Sequence, residues 1–389
     1  EGTEQFILSN TKNLKFVGDG STTVAFNGVD NSITISSTDT NTVPNNATIN
    51  ISAGSGLTTG FNVGSGLGGT VRSIIQHRSD GKLVIGGDFT SYDGQSVGYI
   101  VRLNLDGTID SGFNVGSGFN NWVLSIIQQS DGKLVIGGGF STYNGQSTRY
   151  IVRLNLDGTI DDTFNAGSGF DSSVYPIIQQ SDGKLVIGGY FFTYNGQSAN
   201  RIVRLNSDGT IDDTFNTGSG FNSSVHSIIQ QSDGKLVIGG QFSTYNGQST
   251  GYGITRLNSD GTIDDTFNVG FNSSVFSIIQ QSDGKLVIGG AFSTYNGQSV
   301  GRIVRLNSDG TIDSGFNTGS GFNSFVISII QQSDGKLVIG GGFSSYNGQS
   351  VGRIVRLNLD GTIDSVFNVG SGFNNTARSI IQQSDGKLV

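Results

Sequence analysis

The chain has 389 residues, a net charge of −8, no cysteine and 62 glycines, and only 34% of it is hydrophobic. The missing cysteine excludes disulfides and thiolate metal sites, and the acidic balance with no long basic run argues against nucleic acid as a partner. Nearly all the acids are Asp, with Glu only at Glu1 and Glu4; Asp favours turns where Glu favours helices, so an all-β chain is predicted.

Residues 1–56 come first in the chain. They are rich in Ser, Thr and Asn and carry β-like runs, LKFVG from Leu14, TTVAFNG from Thr22 and NSITISS from Asn31. Some fifty such residues cannot bury a sizeable core alone. The segment therefore reads as a β-rich fibre, stalk or linker piece that gains its core by self-association, expected as a homotrimer.

From residue 57 to residue 389 the chain is repetitive. The Asp of the SDGK motif falls at Asp80, Asp131, Asp182, Asp233, Asp283, Asp334 and Asp385, spaced by 51 residues with one interval of 50. One unit holds four strand-like runs: A at 326–332 (VISIIQQ), B at 336–343 (KLVIGGGF), C at 353–358 (RIVRLN) and D at 362–368 (TIDSVFN). An Asp-Gly loop joins A to B and C to D, with Gly in the left-handed residue of a three-residue hairpin loop. TYNGQS joins B to C, its Asn-Gly another turn signal. Four short strands per repeat predict β-propeller blades that pack face to face, which also accounts for KLVI being apolar without alternation. Counting completes the expectation. A and B occur seven times, C six, and D seven if residues 57–62 (LTTGFN) match 109–114 (IDSGFN). The prediction is a seven-bladed β-propeller of four-stranded antiparallel blades, its last blade incomplete within these 389 residues and completed in part by the early D.

Chemistry is scarce. Arg305 of RLN should sit opposite Asp313 as a cross-strand ion pair, a structural role. The Asp161–Asp162, Asp212–Asp213 and Asp264–Asp265 pairs would place neighbouring carboxylates on opposite faces, unsuited to glycosidase work. NSDGTID at 307–313 resembles a calcium loop only loosely, because the terminal bidentate Glu is missing. His77 and His226 have no second His nearby in sequence. No catalytic residue, metal or cofactor is predicted.

The informative positions are those where the copies differ. Within V-x-S or its equivalent at the start of A, x is Arg72, Leu124, Tyr175, His226, Phe276, Ile327 or Arg378. Just before it, Trp122 and Phe325 replace a small hydroxyl residue. After the Gly-Gly of B come Asp88, Gly139, Tyr190, Gln241, Ala291 and Gly342. The start of A and the end of B lie at one rim, so this rim is predicted to bind a partner through Arg72, Asp88, Trp122, Tyr175, Tyr190, His226, Gln241, Phe276, Phe325 and Arg378. Arg and aromatic side chains are the usual anchors of such surfaces.

The unit DGKLVIGG-F-YNGQ---RIVRLN-DGTID--FN, as at 334–368, resembles the delta-sixty repeat, a bacterial and viral β-propeller family. That resemblance implies a propeller found in large extracellular or surface proteins, with no catalytic residues to carry over. The run LKFVGDGSTTVAFNGVDNSITISSTDTNT is similar to segments of tail-fibre and virion appendage proteins of marine, cyanophage-like bacteriophages. The expectation is a non-enzymatic extracellular fibre protein, a phage virion appendage attaching to a host cell-surface glycan or protein. A bacterial surface adhesin or a spacer propeller is the alternative. No apolar run reaches the roughly 20 residues of a membrane helix, so no membrane insertion is expected.

Overall fold

A computed structural model describes residues 22–27, 32–37, 61–267 and 270–389. The chain divides into two compact units, Glu1–Thr58 and Thr59–Val389. In the first, strands Thr22–Asn27 and Ser32–Ser37 pair antiparallel, Thr22 opposite Ser37. The rest of the expected stalk, including LKFVG, lies outside the described residues.

The second unit contains six copies of one all-β repeat of about 51 residues, and no helix occurs among the described residues. In the second copy, A is Val123–Gln128, B is Leu134–Gly138 and C is Ile151–Leu154. B is central, with A and C on its two edges. The loop glycine between A and B has φ 89° at Gly132, the left-handed residue that the turn requires. Between B and C the chain forms a separate small hairpin, Thr142–Tyr143 with Gln146–Ser147. Its turn residues Asn144 and Gly145 both have positive φ, 46° and 76°, the geometry that matches strand twist.

The predicted fourth strand does not form. Ile109 makes a single bridge to Leu103, and then Asp110 turns the chain. Its Oδ1 accepts from the Gly112 amide at 3.0 Å, and its carbonyl accepts from Phe113 N at 3.1 Å. An Asp side chain that satisfies the amide two residues on offers the backbone a turn in place of a ladder. Blades are therefore three-stranded, with the small hairpin added.

Successive repeats pack through their sheet faces. Every residue of LVIGG in B is buried, covered on both sides as the unalternating sequence implied. One interface joins Val135 and Ile151 of the second repeat to Val174, Ile177, Ile187 and Phe191 of the third. The Gly of B permits this approach, since a Cβ at Gly137 would lie 2.4 Å from Val174 Cγ1 and 2.9 Å from Ile177 Cδ1. Adjacent A strands also touch, the Ile126 amide donating to Ser73 Oγ at 3.1 Å.

Each repeat is closed at its far end by an ionic cluster. Arg153 Nε lies 2.5 Å and Lys133 Nζ 2.8 Å from Asp161 Oδ2. Arg153 Nη1 also donates to Ser207 O of the next repeat at 2.5 Å, and the guanidinium stacks 4.9 Å over Phe164. The predicted Arg305–Asp313 pair forms at 2.6 Å. The lysine and the link to the neighbouring repeat were not legible from the C–D hairpin alone. Burial pushes the Asp161 carboxyl up, but hydrogen bonds from Lys133, Thr163 and Arg153 more than offset it and hold the group well below the usual carboxylate range.

Residues at both ends of the second unit repeat these contacts on the first copy. The Ser384 amide donates to Gln76 Oε1 at 2.8 Å, just as Arg78 N donates to Gln128 Oε1 at 2.9 Å one repeat on. Ile381 and Val389 pack on the core of the first repeat, as Ile75 and Val84 pack on that of the second. Asn62 N donates to Asp106 O at 3.0 Å, the bond that Asn114 N makes to Asp157 O at 2.8 Å.

Candidate functional site at the variable rim

Val123 pairs with Gly138, and Ser125 with Gly137. Leu124 falls in the register shift between them, so x of V-x-S is a bulge residue. Bulges release a side chain from the ladder and re-aim it. The same shift recurs in the other five of the first six copies, widened in the third to span Tyr175 and Pro176, where proline has no amide to give.

The bulged side chains form a chain from blade to blade. Tyr175 and His226 stack with ring centroids 5.3 Å apart and planes 18° from parallel. His226 meets Phe276 edge-on at 5.5 Å. Ser224 Oγ sits 3.2 Å from His226 Nε2 and 3.3 Å from Gln241 Oε1, which ties Gln241 to the same row. Burial lowers the His226 imidazole to about 4, so it is neutral at neutral pH. Burial also raises the Tyr175 hydroxyl, as does Tyr190 beside it, with Arg72 acting in the opposite sense.

At the first repeat the rim is charged. Arg72 and Asp88 form a two-pronged pair, Nε to Oδ1 at 3.1 Å and Nη2 to Oδ2 at 2.5 Å. Arg378 lies close enough that desolvation and the Arg72 charge lower its pKa while Asp88 raises it. Only Arg72 pairs with that carboxylate. Of the predicted residues, Tyr175, His226, Phe276 and Gln241 are thus brought into one row, and Arg72 and Asp88 into a separate pair.

Trp122, Tyr190 and Phe325 are placed differently. The residue before V-x-S bonds across to the residue after Gly-Gly, Gly139 N to Trp122 O at 2.9 Å and Gly342 N to Phe325 O at 3.0 Å. Their sizes compensate. Trp122 lies beside Gly139 and Phe325 against Gly342, while Ser173 faces Tyr190 and Ser274 faces Ala291. Part of the rim variation is therefore local packing. Trp122 and Tyr190 still remain 48% and 49% exposed.

Sequence comparison missed two residues. Phe192 stands where four sister repeats carry Ser, and it is 48% exposed. Arg201 opens C in the third repeat, its guanidinium 4.0 Å from the Phe192 centroid and 5.6 Å from that of Tyr190. The doubled Phe of GGYFFTYNG against GGGFSTYNG was the available signal. No group of three or more His, Cys, Asp or Glu able to hold a metal occurs among the described residues.

Six segments, 78–113, 129–164, 180–215, 231–267, 281–316 and 332–367, match the family described as a domain of unknown function (DUF5122) beta-propeller, together more than half of the chain. The chain belongs to this family. Among solved structures it is similar to the WD40 beta propeller domain of Doa1, with 16% identity, 85% of this chain and 93% of that one covered, and a TM-score of 0.54. That likeness shows the fold. Weaker similarity joins it to the extracellular domain of the putative one component system BT4673 from B. thetaiotaomicron (18% identity, 82% and 36% covered, TM-score 0.47). The streptogramin B lyase structure is matched at 18% identity, with 82% and 89% covered and a TM-score of 0.44. No curated protein matches the chain. No helix among the described residues is long and apolar enough to cross a membrane.

Proposed function

We propose that this chain is a non-enzymatic attachment protein whose propeller binds a cell-surface glycan or protein at its variable rim. One observation carries the reading: near-identical repeats diverge at the bulge so that it presents a row of rings, Tyr175, His226 and Phe276, and the ion-paired Arg72. The repeated acids are engaged elsewhere, as Asp161 is with Arg153 and Lys133, which supports a binding role over catalysis. The propeller takes seven positions in this reading, supported by the contacts of Ser384, Ile381, Val389 and Asn62 with the first repeat. Residues 1–56 then serve as a self-associating stalk on a phage tail fibre or other virion appendage, a placement supported by their resemblance to such proteins.

A spacer propeller is the second reading, favoured by the size compensation at Trp122–Gly139 and Phe325–Gly342. Retention of the labelled protein on bacteria and on immobilised surface glycans separates the two. Replacing Tyr175, His226 and Phe276 together by the Leu and Ile of sister copies should abolish retention with melting unchanged. Unaltered retention by that folded variant would leave the spacer reading standing.

A further inference from the structure

The third repeat departs from its sisters at positions that meet in space. In the second, fourth, fifth and sixth repeats an Asn amide donates to a Ser hydroxyl beside the rim, as Asn120 Nδ2 does to Ser141 Oγ at 2.9 Å. In the third, Ser is replaced by Phe192 and Asn by Asp171, whose Oδ1 still accepts from the Phe192 amide at 2.8 Å. Phenylalanine cannot accept the amide's hydrogen bond, and the acceptor-only carboxylate needs no such partner. The two changes fit one another, and together they place an exposed ring on the rim.

Arg201 sits between that ring and Tyr190. It is only 7% exposed, its buried Nε has no hydrogen-bond partner, and no carboxylate pairs with it among the described residues. At the same point of the fifth and sixth repeats, Arg302 and Arg353 donate Nη1 to Phe322 O and Gly342 O. Arg201 has no such bond. A guanidinium largely withdrawn from water without an anion, its Nε fully buried, is costly, whereas the two Nη groups of its planar fork match a carboxylate in two parallel bonds. The flanking half-exposed rings offer apolar faces of the size of a sugar ring.

We propose that Tyr190, Phe192 and Arg201 form a binding site for an acidic sugar, its carboxylate on Arg201 and its ring against the two aromatic faces. This rests on the reading of the variable rim as a recognition surface and gives that surface a ligand class. Calorimetry on the full chain tests it with a glucuronate-containing oligosaccharide and the same oligosaccharide after reduction of its carboxyl groups. The acidic form should bind at least 10-fold more tightly than the reduced form. Arg201→Gln should remove that preference, and the pair Asp171→Asn with Phe192→Ser should weaken binding at least 5-fold while keeping the fold that four sister repeats already have. Should Arg201→Gln lower the melting temperature, the double variant decides. Equal binding of the two oligosaccharides, binding that survives both variants, or no binding of either overturns the proposal. If neither sugar binds while retention on cells still depends on Tyr175, His226 and Phe276, this site fails and the rim reading stands.

Discussion

Replacing Asp161 by Asn tests how the repeats are locked together. Asp161 is 5% exposed and receives Arg153, itself 6% exposed, at 2.5 Å. Asn keeps the shape but leaves a buried guanidinium without its counter-charge, a change that costs about 3–5 kcal/mol. Lys133 is partly exposed and recovers water, so the loss comes mainly from Arg153. Unfolding entropy of about 2.1 cal/mol/K per residue over Thr59–Val389 amounts to about 0.7 kcal/mol/K, so the melting temperature should fall by about 4–7 °C. The neighbouring Asp162, exposed in the turn, is the control, and Asp162→Asn should change stability by about 0.5 kcal/mol or less. The pH dependence follows from the sign of the shift. The folded Asp161 pKa is depressed, so its contribution is present above the unfolded value near 4 and is lost as pH falls through the folded one. The gap between wild type and Asp161→Asn should accordingly narrow in acid. Calorimetric melting at pH 7 and pH 3 measures both. A loss at pH 7 no larger than that of Asp162→Asn would refute the role assigned to the cluster.

Other outcomes are expected at separate places. Gly137→Ala should cost about 1–3 kcal/mol in urea unfolding, because the new methyl overlaps Val174 and Ile177 across the blade interface. His226 should titrate near 4 by NMR; its neutral form is favoured on folding, so acid destabilisation begins below pH about 6.5 and saturates below about 4, and His226→Phe should remove that component. Exchanging Trp122 with Gly139 for the Ser and Ala of the fifth repeat should preserve melting and, if Trp122 is an anchor, weaken retention by about 1–3 kcal/mol. Spin labels at Asp80 and Asp385 should give the same distance distribution as labels at Asp80 and Asp131 if the seventh position lies beside the first; a longer distance would contradict a ring of seven.

Much of the fold was legible because turns carry their own chemistry. Gly132 and the Asn144-Gly145 pair need left-handed backbone, and their recurrence marks the hairpins without any tertiary information. D was misread because TIDSVFN alternates like a strand, while the turn that ends it rests on a hydrogen bond from Val366 N to the Asp364 side chain. The connected row of Tyr175, His226 and Phe276 followed from comparing copies at one register position. Size compensation between Trp122 and Gly139 was not legible, since it needs the pairing of two residues seventeen positions apart to be known. Arg201 escaped for a related reason: it lies at the start of C, where the copies carry Tyr, Arg or Gly, and only the structure places it against Tyr190 and Phe192.

Hydrogen–deuterium exchange of the full chain, with and without a glycan or cell-wall fraction that retains it, tests the rim most directly. Added protection should appear at residues 70–73, 122–125, 173–177, 188–192 and 224–227, where A begins and B ends. Protection confined to the Asp-Gly turns at 130–133, 181–184 and 207–210 would place recognition at the opposite end and contradict the assignment of function to the variable rim.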